Sequence, residues 1–247
     1  MMPTMQWRWN VILWMGASGA AAVVAAVPPP LVMVVDTSAV MPEARSEGEQ
    51  VLDGLHRDLG QAFARRLGRP VQMKAVPRKR IAQELEAGRA DLVCDYQAAW
   101  LPGPFRWSRA FIPDQTVLVT PASRPPPEKL ASLAGQPVGT VLGYAYPEVA
   151  EALGPGFVRD DAPDAIANLR KLALGRVGHA LTGRRLLDYR RHIDSFPLAL
   201  HAPLVVAEVL GQCALSARSD VSLATLNAAI QGLVAEGELA RILAHYR

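Results

Sequence analysis

Aromatic side chains are scarce in this chain, at 6% of 247 residues, and its formal charge is only +3. Both shortages exclude nucleic acid as an expected partner, because phosphate capture needs a concentrated basic face and base stacking needs aromatics. The cations gather only in short knots, Arg78-Lys79-Arg80, Arg184-Arg185 and Arg190-Arg191. Metal-ligand spacing is missing too. None of the histidines at 56, 179, 192, 201 and 245 has another one helical turn away, and neither cysteine sits in a paired motif. No metal and no cofactor is therefore expected. The chain also lacks a nucleophile elbow, a Walker phosphate loop and a Cys–His pair, so no catalytic residue is assigned. What it has is apolar substance: at 50% hydrophobic and 20% charged it can bury a core, which excludes disorder as the default.

The N-terminus reads separately. Arg8 precedes Val11–Val27, an uncharged run that grows richer in small residues and ends at Pro28-Pro29-Pro30. That is the layout of a secretory signal, with a cut expected after Ala26, so residues 1–26 are assigned to a signal peptide. The rival is an uncleaved anchor helix, for which the run is short and only weakly hydrophobic. Export places the mature chain in the periplasm, an oxidising compartment. There Cys94 and Cys213, each in a strand candidate, are either bridged to each other or left as two buried thiols.

One phrase is stated twice. Residues 77–95 read PRKRIAQELEAGRADLVCD and residues 163–181 read PDAIANLRKLALGRVGHAL. Each starts at a proline, runs through an amphipathic helix, stops at Gly-Arg and enters an apolar run. The copies lie too far apart for a solenoid and suit two similar lobes, hence a cleft and a ligand. Around the first copy, the pattern predicts a strand at Leu31–Val35, a helix over Gln50–Leu67 and a strand at Val71–Val76. This βαβαβ order argues a parallel sheet with helices on its faces. Thr116–Thr120 reads as a strand leading to the stiff Pro121–Pro127 connector. The other expected strands are Gln136–Leu142, Phe196–Leu200 and Val209–Ala217. Helices are expected at Pro147–Leu153, Leu186–His192, Ala224–Val234 and Glu238–Tyr246. The expected division is a first lobe from 27–120 and 206–247, with a second lobe from 121–205.

Ordered motifs then point to a family. They are Pro77 with Arg80, Leu85 with Gly88-Arg89-Ala90-Asp91-Leu92-Val93, and Trp107-Ser108 before Phe111. Leu130, Leu133 and Gly135 follow, leading to Pro137-Val138-Gly139. Ala167 with Leu169, Leu174-Gly175-Arg176-Val177 and the ending Leu223–Tyr246 complete the set. The chain resembles the family 3 bacterial extracellular solute-binding proteins over about residues 31–247. The resemblance implies an α/β, two-lobed type II periplasmic-binding fold with two crossovers, closing on a ligand by hinge motion. It implies a small polar ligand, and a membrane permease of an ABC-type uptake system or a sensor kinase as partner. The protein itself is expected to be a monomer. Two departures stand out. No arginine precedes Arg106 where family members carry one to fork an amino-acid carboxylate. Gly183 and Gly178 stand where aspartates are usual.

Loops at the carboxyl ends of parallel strands carry the candidate ligand groups. These are Ser38, Tyr96, Trp100, Tyr144, Thr182 and Arg184, the last as a replacement for the missing charge. The loop Gly143–Tyr146 leads into a helix start that could hold an anion. A dehydratase-like enzyme on the same fold would need Asp36, Asp95 or His179 as acid or base. A sensory or interaction protein that has lost the usual ligand is the other rival.

Overall fold

The computed structural model describes residue 1, residues 28–193 and residues 195–246. The expected signal peptide falls almost wholly outside the described residues. Among them, no helix is long and apolar enough to cross a membrane.

The first half opens with β1 (Leu31–Asp36), a hairpin of β2 (Arg45–Glu47) and β3 (Gln50–Asp53), then α1 (Leu55–Leu67), β4 (Val71–Val76), α2 (Arg78–Glu86) and β5 (Leu92–Tyr96). β1 lies between β4 and β5 and is parallel to both, as the βαβαβ order requires. A helix over the whole of Gln50–Leu67 does not form. Gly54 takes φ 108 and lies so close to the chain at Ala44 that a Cβ there would meet Ala44 Cα at 2.6 Å. The chain before it pairs as a strand instead, and the helix starts at Leu55.

After a single 3-10 turn at Ala98–Trp100 and the short β6 (Arg106–Trp107) comes β7 (Ile112–Val119). The second half holds β8 (Pro137–Val141), α3 (Pro147–Leu153), β9 (Val158–Ala162), α4 (Ala165–Ala173), β10 (His179–Gly183) and α5 (Arg184–His192). The long β11 (Leu204–Leu215) returns, and α6 (Leu223–Ala235) and α7 (Glu238–His245) close the chain. The expected strand at Phe196–Leu200 reduces to one bridge between Leu200 and Pro121. Phe196 and Leu198 pack beside α4 and α5 instead of pairing.

The sheet runs β4-β1-β5-β11-β7-β10-β8-β9, with β6 attached to β11. β7 and β11 are antiparallel and shared: β11 pairs with β5 at Gln212–Leu215 and with β7 at Leu204–Gly211. One core lies where β1, β5 and the end of β11 meet α1, α6 and α7, around Leu31, Met33, Phe63, Leu92 and Ile230. Alternate residues of the same strands, Val34, Val93 and Ala214, face α2 through Ile81 and Leu85. The second half repeats the scheme, with Leu169, Leu172 and Leu187 on one face and Leu133, Val138 and Val149 on the other.

The doubled phrase folds alike in both copies. α2 and α4 each end before a glycine in the left-handed region, Gly88 at φ 72 and Gly175 at φ 68, and each is followed by a strand. Cys94 of β5 and Cys213 of β11 face each other in the register and are joined as a disulfide.

Candidate functional site

The carboxyl ends of β1, β5 and β10 and the turn after β8 converge on one cavity of about 170 Å³. Two arginines organise it. Arg78, the first residue of α2, follows the carboxyl end of β4. Its guanidinium donates to Asp36 Oδ2 at 3.3 Å, to Tyr96 Oη at 3.1 Å and, across the cavity, to the Gly143 carbonyl at 3.0 Å. It lies over two rings, 5.0 Å from the centroid of Tyr96 and 4.5 Å from that of Tyr144, so cation–π attraction adds to the ion pair. Arg185 enters from the opposite side, in the first turn of α5. It donates to Asp95 Oδ2 at 2.5 Å, to Glu43 Oε1 at 3.2 Å and to the Pro113 carbonyl at 3.4 Å. Asp114 Oδ2 lies 3.7 Å from the same guanidinium, while Asp114 Oδ1 accepts from the Arg185 backbone N–H at 3.0 Å.

These groups are largely withdrawn from water, and their acidities shift accordingly. Burial pushes the Glu43 carboxyl up to about 7, against the attraction of Arg185 and with repulsion from Asp114 and Asp95. Burial likewise raises Asp114, and it raises the phenols of Tyr96 and Tyr144 well above their usual range, so both stay protonated. Burial lowers His56, which therefore lines the cavity as a neutral imidazole at pH 7. Three polar atoms in the lining are buried without a hydrogen-bond partner: Thr182 Oγ1, Trp100 Nε1 and His56 Nδ1. Unpaired polar atoms cost about 1–3 kcal/mol each when buried, so hydrogen bonds from a bound molecule or water would stabilise this lining. Among the described residues, no group of three or more His, Cys, Asp or Glu side chains is placed to hold a metal ion.

A model of the bacterial extracellular solute-binding proteins, family 3, matches residues 31–247. The chain belongs to that family. Its fold is the two-lobed α/β fold of periplasmic binding proteins, as solved structures show. An ancestral arginine-binding protein bound to arginine superposes with a TM-score of 0.70 at 19% identity, covering 90% of this chain and 99% of that one. The substrate-binding protein of an amino-acid ABC transporter gives 0.67 at 18% identity, covering 88% and 99%. The VFT2 domain of BvgS from Bordetella pertussis gives 0.72 at 19% identity, covering 88% and 93%. Comparison with curated proteins gives no match.

Within this family 3 chain the structure brings together Ser38, Tyr96, Trp100, Tyr144 and Thr182 around the cavity. Arg184 is not brought there. Its guanidinium turns outward to Asp188, 2.9 Å away on the next turn of α5. Successive helical residues point roughly 100° apart, so of the two adjacent arginines only Arg185 faces the cavity. Asp36 and Asp95 line the cavity but are held by arginines, and His179 lies outside it, with Nδ1 2.9 Å from Thr120 Oγ1.

A Cβ on Gly183 would meet Asp114 Oδ2 at 3.0 Å, so the carboxylate of Asp114 stands against the backbone at the end of β10. Arg106 supplies no fork: it turns to the Ser216 carbonyl at 2.6 Å and serves the fold. Arg78 alone of Arg78, Glu43 and Asp114 carries a local signal, because it opens the helix just after the carboxyl end of β4.

The acidity of Glu43 has a measurable effect. A carboxyl whose folded value lies above its unfolded one holds an extra proton when folded, so its contribution to stability falls as pH rises from about 4.5 through about 7. His56, lowered by burial, acts in the opposite sense below its ordinary value near 6.5. The two separate by substitution. The stability difference between Glu43→Gln and the parent should move in favour of the variant between pH 5 and pH 8, by about 1–3 kcal/mol. Urea unfolding at both pH values reads it, and a constant difference would show that Glu43 titrates normally.

Proposed function

We propose that the protein is a periplasmic solute receptor, exported by a cleaved signal peptide, which captures a small polar ligand between its two lobes without catalysing a reaction. The observation that carries this reading is the cavity lined by buried, unpartnered Thr182, Trp100 and His56 atoms at the meeting of the strand ends. Ser38, Tyr96, Trp100, Tyr144 and Thr182 contact the ligand, and Arg78 and Arg185 draw residues 121–205 against residues 27–120 and 206–247. The chain acts as a monomer, with the closed form presented to the permease of an ABC-type uptake system. The structure of an amino-acid ABC transporter's binding protein among its neighbours supports that role. A sensory role on the same fold is the second reading, favoured by the two arginines that tie one half of the chain to the other. Against a dehydratase stands the engagement of Asp36 and Asp95 by guanidinium groups, which leaves neither free to move protons.

Trp100 gives a direct test. Capture of a solute should change the fluorescence of the purified protein and raise its melting temperature by several degrees at saturating ligand. Trp100→Phe should lose most of the optical change and keep the thermal one. A panel of amino acids, organic acids and amines in which no class moves either signal would overturn the receptor reading.

A further inference from the structure

Charge in the cavity is unbalanced. Asp36, Glu43, Asp95 and Asp114 line it against only Arg78 and Arg185. The arginines are also committed. Every guanidinium nitrogen of Arg185 contacts a protein oxygen, and Arg78 is tied to Asp36, Tyr96 and Gly143 between two aromatic rings. A ligand carboxylate would have to share Arg78 with Asp36 and would stand beside Asp36, Asp95, Asp114 and the partly protonated Glu43. A cation meets the reverse: an acid excess, the aromatic lining that includes Trp100, and the unpartnered oxygen of Thr182 as an acceptor. The unpartnered Nδ1 of neutral His56 is a second acceptor in the tautomer that carries its proton on Nε2. Trp100 Nε1 is the one unpartnered group of the lining that can only donate, and it suits a hydroxyl or carbonyl oxygen.

We propose that the cleft selects an organic cation without a carboxylate, an alkylamine or alkylguanidine, in place of a zwitterionic amino acid. The proposal deepens the receptor reading and rests on it. Attraction comes from carboxylates on three separate elements. Asp36 ends β1, Asp95 lies in β5 and Asp114 lies in β7, so the carboxylates reach the cavity from three strands. Rejection of amino acids comes from the same groups, because a bound carboxylate would be buried beside them and would have to share Arg78 with Asp36. Capture also has a proton signature. Glu43 shares its surroundings with Arg185, Asp95, Asp114 and neutral His56, and holds a proton for part of the time near pH 7. A cation arriving beside it favours the ionised form, so binding releases protons and tightens as pH rises from 6 to 8.

Titration calorimetry with agmatine and putrescine, set against L-arginine and L-glutamine, tests this. Agmatine is arginine without its carboxyl group, so that pair isolates the carboxylate. Agmatine should bind at least tenfold more tightly than L-arginine, with proton release read from buffers of different ionisation heat. Asp36→Asn and Asp95→Asn should each weaken agmatine tenfold or more, while Asp220→Asn on the surface should not. Asn tolerates the left-handed conformation that Asp95 adopts at φ 63, so that variant keeps its backbone. Binding of L-arginine or L-glutamine as tight as that of agmatine or tighter overturns the cation assignment and leaves the receptor reading standing. Silence from both amines overturns it as well, and the wider solute panel then decides whether the receptor reading also falls.

Discussion

Replacing Arg185 with methionine is expected to destabilise the protein by about 3–5 kcal/mol at pH 7.5, the range for removing one partner of a buried ion pair. The cause is not the loss of attraction by itself. Arg185 is 9% exposed, and burying its charge already offsets much of what its partners return. What the substitution leaves is worse: Glu43, Asp95 and Asp114 close together, out of water, with no cation among them. Their acidities would rise together and protons would enter. The deficit should therefore shrink toward pH 5, where the carboxyls are neutralised at less cost. Urea unfolding at pH 5 and pH 7.5 measures both values. A deficit equal at the two pH values would show that the three carboxylates are not coupled through Arg185. Adding Asp95→Asn to Arg185→Met should recover part of the loss, a non-additivity expected of side chains in direct contact.

Removing both cysteines should cost a similar amount. The bridge closes a loop between residues 119 apart, and a loop of about 100 residues restricts the unfolded chain by roughly 4.7 kcal/mol at 25 °C. Measured losses for native bridges run about 2–5 kcal/mol. Cys94 and Cys213 are fully buried in the core formed with α1 and α6, so alanine at both sites avoids stranding a thiol and adds only a small packing defect. Oxidised parent, reduced parent and Cys94→Ala/Cys213→Ala should unfold at separate urea midpoints, with the oxidised parent last. Coincident midpoints for oxidised and reduced parent would show that the bridge contributes nothing.

The repeated phrase made the fold legible, because a glycine stop after an amphipathic helix is a local feature that needs no tertiary knowledge. The β2–β3 hairpin was not legible. Val51 and Leu52 fit the helical spacing of Leu55 and Leu59, and only the approach of Gly54 to Ala44 breaks that register. The aromatics of the cavity were found because they stand in loops after strands. Arg185 was missed because one residue of helical phase separates it from Arg184. Arg78 stands in the Arg78-Lys79-Arg80 knot, where residue type does not separate it from Arg80, which in the structure lies exposed and 3.6 Å from Glu84. Glu43 has no local signature at all. Its surroundings come from β5, β7 and α5, segments far away in sequence.

β11 is unevenly anchored. Its carboxyl end is cross-linked to β5 at Cys213, while its pairing with β7 shifts register between Val205 and Ala207 and that with β5 shifts between Gln212 and Cys213. A strand pinned at one end and interrupted along its length works as a cantilever. For the proposed receptor this would make the disulfide side the stationary jaw and residues 121–205 the travelling one, with bending expected in Leu204–Gln212. Reduction of the bridge would then do more than lower stability: it would lengthen the flexible arm and blur the position at which the jaws meet.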